Sequence, residues 1–92
     1  MDPVLAIREY LDYVVARLIT HPGACGISHE AKDGRHFFSI CLHQDDAGRV
    51  IGRNGRTINA IRSLALASAE KHSLRVSVDL DDPLAEVRRG ND

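Results

Sequence analysis

Gly52 and Gly55 enclose Arg53 and Asn54, and Arg56 and Thr57 follow directly. Glycine at both ends of so short a turn removes the Cβ atoms that would keep another backbone away. A helix that starts right after the turn offers unpaired N–H groups and the positive end of its dipole to an anion. Arg53 and Arg56, with Arg49 just upstream, add full positive charges to those partial ones. The chemistry implied is the holding of phosphate.

Two common phosphate-binding loops do not fit. In the Walker pattern, counting back from Gly55 puts Val50 where the first glycine belongs, and Arg56 stands in place of the lysine. The dinucleotide fingerprint needs a glycine at that same Val50 and a strand before the loop, where this sequence reads as a helix. Charge placement favours a long anionic partner. The 92-residue chain has a formal net charge of -1, yet residues 47–69 contain four arginines and no acid. The segments on either side carry net charges of -3 and -2. A weakly acidic body thus presents one cationic segment made only of arginine.

The surrounding pattern supplies the elements that must position this loop. Val4, Ile7, Leu11, Val14 and Leu18 recur at helical spacing, with Pro3 suited to the first turn and His21-Pro22-Gly23 expected to end the helix. Ile27–Lys32 and Arg35–His43 read as strands joined by the hairpin signal Asp33-Gly34. The first strand, polar for much of its length, belongs at a sheet edge. In the second, Phe38, Ile40 and Leu42 share the buried face, and Phe37, Ser39 and Cys41 share the other. Asp45 or Asp46 is expected to cap a short helix over Ala47–Ile51, which Gly52 stops. A longer helix runs from beyond Gly55 to His72, burying Ile58, Ile61, Leu64 or Ala65, and Ala69. Leu74, Val76, Val78 and Leu80 alternate as a half-buried last strand.

The run Gly48-Arg49-Val50-Ile51-Gly52-Arg53-Asn54-Gly55-Arg56-Thr57-Ile58 resembles the V-I-G-x-x-G signature of KH domains, and especially the small bacterial KhpA (YlqC) family. The resemblance extends from the first helix to Leu80. It implies an α+β, type II KH-like fold in the order αββααβ, a three-stranded mixed sheet with helices packed on one face. It also implies a groove beside the loop that clamps about four nucleotides of single-stranded RNA. On that reading Gly52 and Gly55 give the close backbone approach, and Arg53 and Asn54 face the phosphates. Ile51 and Ile58 form an apolar floor, and Arg49, Arg56 and Thr57 complete the RNA-binding set. The family most often has lysine at Arg53, so the charge is kept and the donor geometry changes. An RNA chaperone or post-transcriptional regulator is the implied role, acting as a homodimer or with a larger KhpB-type partner.

One domain is expected over residues 1–80, with a polar tail over 81–92. No enzyme activity and no cofactor are expected. The five histidines accompany no nucleophile motif. Cys25 with His29, and Cys41 with His43, read as ordinary neighbours, so no metal site is expected. Met1-Asp2-Pro3 lacks a basic leader and no apolar run approaches membrane-spanning length, which points to a soluble cytoplasmic chain. The competing reading is a KH-fold protein-interaction or dimerisation module whose loop is incidental.

Overall fold

A computed structural model describes residues 2–81 of the chain. Of the expected tail, everything beyond Asp81 lies outside the described residues. The elements are α1 (Pro3–Ala16), β1 (Gly26–Lys32), β2 (Arg35–Cys41), α2 (Gln44–Ile51), α3 (Arg56–Lys71) and β3 (Arg75–Asp81). Short 3₁₀ turns at Pro22–Ala24 and Arg53–Gly55 stand between them. This is the α+β, αββααβ arrangement expected of a type II KH-like fold.

The three strands lie in the order β1-β2-β3, with β1 antiparallel and β3 parallel to β2. Asp33 and Gly34 both take positive φ, 52° and 76°, as the two-residue hairpin demands. The pairing sets Ile27 beside Ile40 and Phe38 beside Val78, so one face of the sheet is largely apolar, with His29 and His36 on the same face toward the hairpin. Phe38, Ile40, Val76 and Val78 on that face are buried against Ile7, Leu11 and Val15 of α1 and Ile58, Ile61, Ala65 and Ala69 of α3. Phe37, Ser39 and Cys41 point to the opposite, more open side. Of the two α3 positions left open by the periodicity, Ala65 is in the core and Leu64 is exposed.

Two boundaries differ from expectation. α1 stops at Ala16 instead of near His21, because Arg17 and Leu18 donate to Val14 and Val15 as the last turn tightens. The chain beyond is drawn off by Asp46, whose carboxylate accepts the Thr20 and His21 N–H groups at 2.9 and 2.8 Å. α2 correspondingly begins at Gln44, and its cap is neither Asp45 nor Asp46. His43 caps it, Nδ1 accepting from the Asp45 N–H at 3.1 Å. Asp46 lies inside the helix, fully buried.

Candidate nucleic-acid interface

α2 and α3 meet at the glycine loop, and the backbone there explains the residue types. Gly52 ends α2 at φ 75°, ψ 173°, a conformation essentially closed to residues with a side chain. A Cβ at Gly52 would collide with Thr57 Oγ1 and lie 2.8 Å from the Thr57 Cβ. Thr57 therefore packs beneath Gly52 and fixes how closely the loop folds over the start of α3. Asn54 (φ 57°) and Gly55 (φ 76°) are left-handed, a conformation asparagine tolerates better than most residues. At Gly55 an added Cβ meets nothing closer than Asn59 Nδ2 at 3.6 Å, so only its φ calls for glycine.

The start of α3 carries no side-chain cap and no acid in its first turn. By contrast, Asp2 caps α1 through the Val4 N–H at 2.9 Å and His43 caps α2. The Arg56 N–H closes the 3₁₀ turn onto the Arg53 carbonyl, and the helix start beyond it, with no side-chain cap, turns the positive end of a 16-residue helix dipole toward an anion. Arg53, Asn54 and Arg56 are exposed there, and among the described residues neither arginine's side chain has a hydrogen-bond or ion-pair partner. The other expected residues are placed differently. Ile51 is half-buried at the edge of the core, and Ile58 is 5% exposed and belongs to the core. Arg49 lies one turn from the buried Asp46, with Nε 3.7 Å from its Oδ1.

Arg62, further along α3, is committed elsewhere: its Nε donates to the Val78 carbonyl at 2.7 Å and pins α3 to the edge strand β3. A groove between α3 and β3 is lined by Arg35, Arg62, Leu66, Val76 and Val78. The cysteines are free thiols that the fold keeps protonated. Burial first, then Asp12, Asp46 and Cys41, pushes the Cys25 thiol up, and burial with Asp81 does the same to Cys41. Sequence reasoning missed the network of Thr20, His21 and Asp46, whose members are separated by more than twenty positions and follow no spacing rule.

Fold order and loop geometry together invite comparison with known proteins. A family model described as "KhpA/KhpB, KH domain" matches residues 8–80. The chain belongs to the KhpA/KhpB KH-domain family. Among its relatives, the RNA-binding protein KhpA of Halalkalibacterium halodurans is 35% identical over 77 residues, spanning 83% of this chain and 100% of its own. The protein of the same name from Bacillus subtilis is 29% identical over 76 residues, 83% of this chain and 94% of its own. That from Treponema pallidum is 28% identical over 75 residues, 82% and 94% of the two chains. No solved structure matches the chain. No helix among the described residues is long and apolar enough to cross a membrane.

Proposed function

We propose that this chain binds short single-stranded RNA, with the backbone clamped at Gly52-Arg53-Asn54-Gly55 and the start of α3, and acts in the cytoplasm as an RNA chaperone or post-transcriptional regulator. The observation that carries the reading is the uncapped N-terminus of α3 flanked by Arg53 and Arg56, neither of which has a partner within the described residues. A phosphate there gains the positive helix end and two guanidinium groups without breaking any existing side-chain bond. The relatives named as RNA-binding proteins support the same role. Single strands are favoured over duplex because bases must splay out beside the loop, over Ile51, and run along α3. The role is binding, not catalysis. Fluorescence anisotropy with an unstructured oligonucleotide and a blunt duplex of equal length tests it, and equal competition by the duplex would refute it.

A pairing role is favoured by one further observation. Leu64 is 62% exposed on α3, a large apolar side chain that no neighbour among the described residues covers. Few arginines release few counterions, so one groove gives modest affinity and two linked grooves gain by effective concentration. A homodimer, or a heterodimer with a KhpB-type chain, is the expected working form. Light scattering over a concentration series, with one-site and two-site oligonucleotides, checks this. A strict monomer with equal affinity for both would exclude the avidity account.

A further inference from the structure

At the end of α2 away from the glycine loop, His21 and His43, distant in sequence, are brought face to face with Asp45. We propose that His21, His43 and Asp45 form a binding site for a divalent transition-metal ion of the zinc type.

The argument starts from where each ring keeps its lone pair. The Thr20 hydroxyl donates to Asp46 Oδ1 at 2.8 Å, so its oxygen is left to accept from His21 Nδ1 at 3.0 Å. Asp46 Oδ2 also lies 3.4 Å from that nitrogen. In the neutral ring the proton of His21 therefore sits on Nδ1, leaving Nε2, 3.7 Å from Asp45 Oδ2, as the atom that can ligate. His43 is set the opposite way. Its Nδ1 accepts the Asp45 N–H, and that same nitrogen lies 3.5 Å from Asp45 Oδ2. His21 Nε2 and His43 Nδ1 thus both lie within 3.7 Å of one carboxylate oxygen, a set of two nitrogen donors and one oxygen donor at a single point on the surface.

The dimensions suit zinc. Zinc bonds to nitrogen and oxygen of about 2.0–2.1 Å at tetrahedral angles place ligand atoms about 3.3 Å apart. The separations of 3.7 and 3.5 Å need to shrink by only a few tenths of an ångström, and all three donor atoms lie within 4.8 Å of one another. Nitrogen donors select zinc, copper or nickel over magnesium and calcium, which prefer oxygen. Asp46 behind His21 supplies the carboxylate–histidine–metal relay that orients a ligating ring. The rings now stack in parallel, with centroids 4.0 Å apart and planes 9° from parallel, so one must turn about χ2 to share an ion. Both side chains are exposed enough to do so, at 42% and 36%. The turn sacrifices the stack and loosens the His43 cap, which limits affinity to the micromolar range.

Zinc and cobalt titrations of the tag-free full chain test the site, with magnesium as the control ion. One zinc per chain is expected, with a raised Tm and tetrahedral cobalt absorption. His21→Gln and Asp45→Asn should each weaken binding roughly tenfold or more. Asp45 is exposed, so the second variant keeps the fold even if the first loosens it. Cys25→Ser/Cys41→Ser and His29→Gln/His36→Gln, which alter the other donor pairs, should leave binding unchanged. The proposal is overturned if micromolar zinc does not bind, if both site variants bind as the parent does, or if either control pair abolishes binding.

Discussion

The two ends of α2 differ in how their polar groups are satisfied. At the N-terminal end both Asp46 oxygens are filled from within the chain, by the Thr20 N–H and hydroxyl and by the His21 N–H. At the C-terminal end the loop opens onto a helix without a side-chain cap and onto arginines whose side chains have no partner among the described residues. Eight residues of helix, about 12 Å, separate the two. A polar network closed within the chain fixes the backbone and contributes to stability. One left open has donors to give to a ligand, and that is the end where RNA is expected.

The most direct way to break this contrast is to reverse the charge at the open end. Arg53→Asp with Asn54→Asp should weaken single-stranded RNA binding on the order of 100-fold or more, because two carboxylates then face phosphate. The Tm should hardly move, since both side chains are exposed and bonded to nothing within the described residues. Anisotropy and thermal melting on the same sample check both halves. Wild-type affinity, or an unfolded variant, would contradict the assignment.

Within the loop the two glycines should separate. Gly52→Ala meets both a forbidden conformation and Thr57, and should cost about 3 kcal/mol in denaturant unfolding. Gly55→Ala makes only an ordinary contact with Asn59 and pays chiefly for its left-handed φ, about 1 kcal/mol. Equal costs would mean that Thr57 does not pack under Gly52 as described.

The closed end is tested through acid stability. Burial alone raises the Asp46 pKa, but the hydrogen bonds from Thr20 and His21 outweigh it and hold the carboxyl at about 2. An unfolded aspartate titrates near about 3.9. The folded value is the lower one, so the stabilisation is complete above the unfolded value and is lost as pH falls from there through about 2. Asp46→Asn keeps one accepting oxygen and turns an NH₂ toward the His21 N–H. It should lower Tm by roughly 10 °C at neutral pH and flatten the acid limb of the stability curve. RNA affinity of the folded variant should be unchanged. An unaltered acid limb would show that another carboxylate governs it.

The open end was legible in the sequence and the closed end was not. Gly52, Gly55 and the arginines between and beside them act locally, through spacing along one stretch of chain. Strand alternation likewise placed Phe38, Ile40, Val76 and Val78 on one buried face. Asp46 read as a cap because an acid before a short helix usually is one. Only the packing of the α1–β1 connection against α2 reveals that it bonds Thr20 and His21. The stack of His43 on His21 escaped sequence reading for the same reason. Ile58 shows the reverse limit: helical spacing made it core and the family resemblance made it groove floor, and its 5% exposure gives the first reading more weight.

Arg49 provides the finest test, because it stands between the two ends. Its side chain is 60% exposed, yet Nε lies 3.7 Å from Asp46 Oδ1, so the closed network already draws its charge. Each arginine that neutralises a phosphate on a single strand should contribute about 0.7 to the slope of log affinity against log salt. Arg53→Gln and Arg56→Gln should therefore each flatten that slope by about 0.7. Arg49→Gln should leave it unchanged and lower affinity no more than about twofold, through the longer-range field alone. Titrations at several salt concentrations separate these outcomes without reference to fold stability. If Arg49→Gln flattens the slope as much as the loop variants do, its guanidinium must swing from Asp46 to phosphate on binding. RNA would then draw a cation out of the closed network, and the two ends of α2 would be coupled through that one side chain.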